Sequence, residues 1–91
     1  MKRPAVFLDR DGTVCEEVGY LSEVKDLRLI PGSARAIRQI RQAGWKVVII
    51  SNQSGVARGY MTEETVRIIH TALREMLLKE GAEIDGIYYC P

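Results

Sequence analysis

Short unbroken apolar runs alternate along this chain with longer stretches in which apolar residues recur every three or four positions. Ala5-Val6-Phe7-Leu8 is the first run, and it stops at an acidic, glycine-containing stretch. Trp45-Lys46-Val47-Val48-Ile49-Ile50 is the second, rich in β-branched residues and closed by Ser51-Asn52. Both read as strands buried on two faces. Gly86-Ile87-Tyr88-Tyr89-Cys90 reads as a third strand. Between the second and third, Thr62 is placed to cap a helix that carries Glu63 and Glu64 in its first turn. Val66, Ile69, Leu73, Met76 and Leu77 follow at helical spacing, and Gly81 supplies the stop. An earlier helix runs from about Ser33 to Ala43, entered through Pro31-Gly32 and closed by Gly44. It sets Ala34, Ile37 and Ile40 against Arg35, Arg38 and Arg41, which read as a solvated face.

The alternation predicts an α/β fold, a Rossmann-like parallel sheet with flanking helices and right-handed crossovers. Residues at the carboxyl ends of such strands share one rim, where open α/β sheets bind ligands. Here that rim carries Asp9, Asp11, Ser51 and Asn52. The stretch from Val14 to Ile30 is long for a strand-to-helix connection and should overhang the same rim.

Composition narrows the function classes. With 46% apolar and 27% charged residues the 91-residue chain has the make-up of a single globular domain. Its 13 basic and 12 acidic residues leave a net charge of +1, so no basic footprint points to nucleic acid or to an anionic membrane. No apolar run approaches the length of a membrane span. Behind Lys2 and Arg3 the apolar run is too short for a secretory leader, which leaves a cytoplasmic protein as the expectation. Cys15 and Cys90 do not make a disulfide framework; Cys15 reads as a small packing residue. His70, the single histidine, reads as a surface or partly packed helix residue away from the rim.

The chemistry is concentrated in Asp9-Arg10-Asp11-Gly12-Thr13, directly after a strand. Two carboxylates two residues apart can converge, one attacking and the other handling protons. A hard cation such as Mg²⁺ would screen the repulsion between such a carboxylate and a phosphate. An Asx turn with a solvated acidic loop is the plain alternative.

Phe7-Leu8-Asp9-Arg10-Asp11-Gly12-Thr13-Val14 resembles the first signature of the haloacid dehalogenase phosphatases, and Ile49 to Gly59 resembles the second. The resemblance implies Asp9 as nucleophile and Mg²⁺ ligand, and Asp11 as general acid then base with its carbonyl on the metal. It implies Ser51 as the hydroxyl that holds the transferring phosphoryl group. Asn52-Gln53-Ser54-Gly55-Val56-Ala57-Arg58-Gly59, together with Glu17-Val18-Gly19-Tyr20 and the closing Tyr88-Tyr89-Cys90-Pro91, is similar to the D,D-heptose 1,7-bisphosphate and histidinol phosphatases of that family. This similarity implies substrate contacts from Thr13, Glu17, Val18, Gly19, Tyr20, Ser51, Asn52, Gln53, Ser54 and Arg58. It further implies a structural Zn²⁺ loop that Cys90 would open, with the other ligands beyond Pro91.

The expected substrate is a small phosphorylated sugar or metabolite, with heptose 1,7-bisphosphate first and histidinol phosphate as the alternative. A polynucleotide 3′-phosphatase-like enzyme is a second alternative, because such enzymes carry a similar Asn-Gln-x-Gly-x-x-Arg-Gly stretch. The family's third motif, a Lys or Arg, and its fourth, acidic Mg²⁺ ligands, are missing from these residues. The chain therefore reads as the N-terminal portion of the core of one haloacid dehalogenase-like domain, without a large cap. It should be inactive alone, pairing with a complementary C-terminal part, or else be a non-catalytic phosphate-binding fragment.

Overall fold

β-Branched residues in the middle of the chain build the central strand, and the rest of the sheet is laid on its two sides. In the computed structural model, which describes residues 3–90, β1 spans Ala5–Asp9, α1 Ser33–Gln42, β2 Lys46–Asn52, α2 Ser54–Ala57, α3 Glu63–Lys79 and β3 Gly86–Cys90. Lys2 and Pro91, which entered the reading of the two chain ends, lie outside the described residues. The three strands form a parallel sheet in the order β1-β2-β3. Phe7 is level with Val48 and Asp9 with Ile50 on one side of β2, and Ile50 is level with Tyr88 on the other.

That order decides which sheet face is covered. Two right-handed crossovers stepping in the same direction set α1 and α3 on the same face. Along β2, Val47, Ile49 and Ser51 are buried while Lys46, Ile50 and Asn52 are exposed. Val47 and Ile49 join one apolar cluster with Ile37 of α1 and with Ile69, Leu73 and Leu77 of α3. The opposite face carries Phe7, 64% exposed, Ile50, 39%, and Tyr88, 64%. The expectation that β1 and β2 are buried on both faces is therefore corrected: each is covered on one face. Among the described residues β1 pairs only with β2, so its outer edge is open.

The helices follow their sequence signals closely. Thr62 caps α3, its Oγ1 accepting from the Thr65 N–H at 3.1 Å, and beyond the end the Ala82 N–H donates to the Leu77 carbonyl at 2.9 Å. Trp45 lies outside β2, which runs on to Asn52. The reading of the α1 arginines as a solvated face needs correcting at two positions. Arg38 donates to the Glu80 carbonyl, and Arg41 pairs with Asp85, which also accepts from the Val47 N–H at 2.7 Å. These arginines tie α1 to the segment that leads from α3 into β3.

The connection 14–30 is not loose. Glu16 N–H donates to Arg28 O at 2.8 Å and Ile30 N–H to Val14 O at 3.0 Å, which closes its base. Val14, Cys15, Leu21 and Leu27 are buried. No helix among the described residues is long and apolar enough to cross a membrane.

Candidate active site

The first carboxylate pair is placed by a turn that continues the sheet for one more residue. Arg10 N–H donates to Ile50 O at 2.9 Å, and the Arg10 carbonyl then accepts from both Val14 (3.0 Å) and Cys15 (2.9 Å). Gly12 follows at φ 81°, in the left-handed region that a side chain would oppose. The turn leaves Asp9 exposed at the end of β1 and brings Asp11 back beside it. Asp9, Asp11, Ser51 and Asn52 line one cleft of about 310 Å³ with Arg10, Glu17 and Ile50.

An adjoining recess of about 230 Å³ shares Asp11, Glu17 and Asn52 and adds Gly19, Tyr20, Gln53, Ser54 and Gly55. The half-exposed Tyr20 ring lies against Gly55 there. A Cβ on Gly55 would come within 2.8 Å of the Tyr20 ring, so only glycine permits this approach. Tyr60 meets the Tyr20 ring edge-on at 4.9 Å between centroids, and Arg58 donates to the Tyr20 hydroxyl at 3.2 Å. Of the residues expected at the site, Asp9, Asp11, Glu17, Gly19, Tyr20, Ser51, Asn52, Gln53 and Ser54 thus come together, with Arg58 joined through Tyr20. Thr13 and Val18 are exposed and line neither cleft.

Cys90 is exposed at the end of β3 and borders a third hollow with Asp9, Ile50, Ser51, Asn52, Tyr88 and Tyr89. Among the described residues no group of three or more His, Cys, Asp or Glu side chains is gathered to hold a metal ion. Cys15 is fully buried, as its packing role required, and its pKa is pushed up to about 11 by burial first and by the neighbouring Asp11 carboxylate second.

Two residues at the site escaped the sequence reading. Arg10 is 1% exposed and His70 6%, and Arg10 Nη1 lies 3.1 Å from His70 Nε2. His70 is therefore a buried residue facing the turn that follows β1, rather than a surface or partly packed helix residue. Its spacing from Val66, Leu73 and Leu77 was the available signal, because these positions share a helix face.

No family profile matches the chain. Curated proteins do: it is 50% identical over its whole length to a D-glycero-D-manno-heptose-1,7-bisphosphate 7-phosphatase of Thermosynechococcus vestitus, covering 47% of that protein. It is 48% identical over 99% of its length to the corresponding β-anomer phosphatase of Rhodopseudomonas palustris, covering 50% of it. Among solved structures, the D,D-heptose 1,7-bisphosphate phosphatase of B. bronchiseptica, complexed with magnesium and phosphate, superposes with a TM-score of 0.87 at 36% identity, over 97% of this chain and 50% of that one. The chain belongs to the haloacid dehalogenase phosphatases. A further structure of this kind, from Mesorhizobium loti, gives a TM-score of 0.92 at 38% identity over 97% of this chain and 42% of its own. The chain spans about half the length of the curated relatives it matches.

Within this haloacid dehalogenase fold the buried histidine makes stability depend on pH. Burial first, and the Arg10 cation second, lower the His70 pKa from 6.5 to about 4, with Asp11 pulling weakly the other way. A base whose folded pKa lies below its unfolded one takes up its proton preferentially when unfolded. Stability is thus intact above about pH 6.5 and is lost as pH falls toward 4, by roughly 3 kcal/mol at most from this one group. Denaturant titrations between pH 7 and 4 should show this loss, and His70→Gln should remove most of it. An unchanged slope in the variant would assign the acid sensitivity to other groups.

Proposed function

We propose that the complete protein is a phosphomonoesterase acting on D-glycero-D-manno-heptose 1,7-bisphosphate through an aspartyl-phosphate on Asp9. The observation that carries this reading is the convergence of Asp9, Asp11, Ser51 and Asn52 on one cleft at the carboxyl ends of β1 and β2. The heptose bisphosphate phosphatases named above support the choice of substrate. Residues 1–91 would form the N-terminal portion of one domain, completed by a C-terminal part in a cytoplasmic enzyme.

The exposed Asp9 carboxylate attacks phosphorus while the bond to the sugar oxygen breaks, and Asp11 donates a proton to that oxygen. Asp11, now a carboxylate, takes a proton from water, whose oxygen attacks the phosphorus of the aspartyl-phosphate. The acyl phosphate bond breaks, which releases inorganic phosphate and restores Asp9. The Ser51 hydroxyl and the Asn52 amide donate to the phosphoryl oxygens as charge builds on them. Glu17, Gly19, Tyr20, Gln53, Ser54 and Arg58, with the exposed Thr13 and Val18, would meet the rest of the sugar.

The donor set at the rim suits Mg²⁺, a hard cation that takes few protein oxygens and keeps waters. The Asp9 carboxylate and the Asp11 carbonyl would hold it, and it would supply positive charge against the phosphate. Cys90 would be one thiolate of a structural Zn²⁺ site whose other ligands come from outside these residues, since one thiolate cannot make a tetrahedral site.

The test is a comparison of kcat/KM for heptose 1,7-bisphosphate, histidinol phosphate and a 3′-phosphorylated oligonucleotide, with Mg²⁺ and with chelator. Heptose bisphosphate should lead by roughly tenfold or more, the scale of discrimination that a few altered pocket contacts provide. Chelation should stop turnover. A lead for histidinol phosphate would overturn the substrate assignment while keeping the chemistry, and absence of hydrolysis on all three would overturn both.

A further inference from the structure

Arg10 stands between the two carboxylates in sequence, yet its side chain points inward and is almost completely buried. A guanidinium out of water is tolerated only where its N–H groups find acceptors. Here they do so on three separate elements. Arg10 Nε donates to Asp11 Oδ1 at 3.0 Å and Nη2 to Asp11 Oδ2 at 3.0 Å, a two-pronged contact that fixes the plane of the carboxylate as well as its position. On its far side Nη1 meets His70 Nε2 of α3 at 3.1 Å. Arginine has only donors, so His70 must accept at Nε2 and carry its proton on Nδ1. The Gln53 side chain at the entry to α2, oriented with its amide oxygen toward the guanidinium, accepts from Nη2 at 2.8 Å and also contacts the Ser51 hydroxyl.

We propose that Arg10 is a positioning residue that aims the Asp11 carboxylate at the leaving oxygen, and that His70 and Gln53 are the acceptors that hold Arg10 in place. This rests on the reading of Asp11 as the general acid. Lysine would keep the charge but not the fork, since an ammonium cannot engage both carboxylate oxygens in a fixed plane. A neutral acceptor on α3 suits the guanidinium better than a second cation would, which accounts for a histidine held in its neutral form inside an otherwise apolar helix face. The arrangement also links Ser51 to the same network through Gln53, so the phosphate-holding hydroxyl and the proton-handling carboxylate share one support.

The experiment uses the complete protein with Mg²⁺ and two substrates, a sugar phosphate whose leaving oxygen needs protonation and an aryl phosphate whose leaving group does not. Arg10→Lys should lower kcat on the sugar phosphate by roughly 10- to 100-fold, part of what a well-placed general acid contributes. On the aryl phosphate the loss should be less than about threefold, with KM little changed on either. His70→Leu, which leaves the guanidinium without its acceptor on α3, should show the same selective loss. His70→Gln, which can offer an amide oxygen near the Nε2 position, should restore kcat to within a few-fold of wild type.

Thermal transitions of each variant are read alongside. If Arg10→Lys fails to fold, the two His70 variants carry the test by themselves. Equal losses on both substrates, a change in KM alone, or no recovery in His70→Gln would make the network a purely structural one and overturn the proposal. An inactive wild-type enzyme would instead bring down the phosphatase reading on which it rests.

Discussion

Asp9→Asn is expected to leave the complete protein folded and to lower phosphatase turnover by roughly four orders of magnitude or more, the scale seen when a covalent nucleophile is removed. The fold should survive because Asp9 sits exposed at the end of β1, where the sheet contacts are made by its backbone opposite Ile50. An amide keeps the side chain's shape but is a very poor nucleophile, so the aspartyl-phosphate cannot form at a useful rate. Acid-quenched wild type should carry a phosphoryl group on the peptide that contains Asp9, and the variant should carry none. Turnover within tenfold of wild type, or a phosphoryl group trapped on another residue, would remove Asp9 from the mechanism. A wild type that binds phosphate without turning over would favour the non-catalytic reading of the same cleft.

The sequence made the local elements legible and left their placement to the tertiary fold. α3 could be read almost to the residue because its cap, acidic first turn, apolar spacing and terminal glycine all agree. The four rim residues were legible for a similar reason, since each closes a strand or lies in the turn beyond it. The covered face of the sheet was not. An apolar run such as Val47 to Ile50 has the same pattern whether helices lie on one side of it or both, and the strand order settles that.

Arg10 was hidden for a different reason. A charged residue in an acidic turn reads as solvent-facing, and its burial depends on His70, sixty positions away in the chain, and on Gln53. The single turn of α2 is too short to show any helical period. The arginines of α1 looked like a solvated stripe because their acceptors, Glu80 and Asp85, come from the far side of α3.

The second large effect is expected from residues 1–91 produced alone, which should self-associate and show no Mg²⁺-dependent hydrolysis above background. The uncovered sheet face supplies the driving force. Ile50 and Tyr88 lie level across β2 and β3, Phe7 of β1 sits two residues short of that level, and all three are exposed large apolar side chains. Burying a side chain of this kind is worth about 1.5–3 kcal/mol, so the patch represents several kcal/mol against a typical domain stability of about 5–15 kcal/mol. The open edge of β1 adds unpaired backbone donors and acceptors that another chain could join.

Activity should fail for a separate reason. On the proposed reading a Lys or Arg and further acidic Mg²⁺ ligands would have to reach the cleft from outside these residues, and without them much of the charge on the phosphate would be unanswered. Sedimentation velocity over a concentration series, a thermal melt and a heptose bisphosphate assay decide the matter together. Phe7→Ser with Tyr88→Ser should reduce the association if the bare face is its cause, whereas association unchanged by these substitutions would move the cause to the β1 edge. A cooperative monomer with metal-dependent turnover would show that these residues need neither a cover for the sheet nor charges from elsewhere.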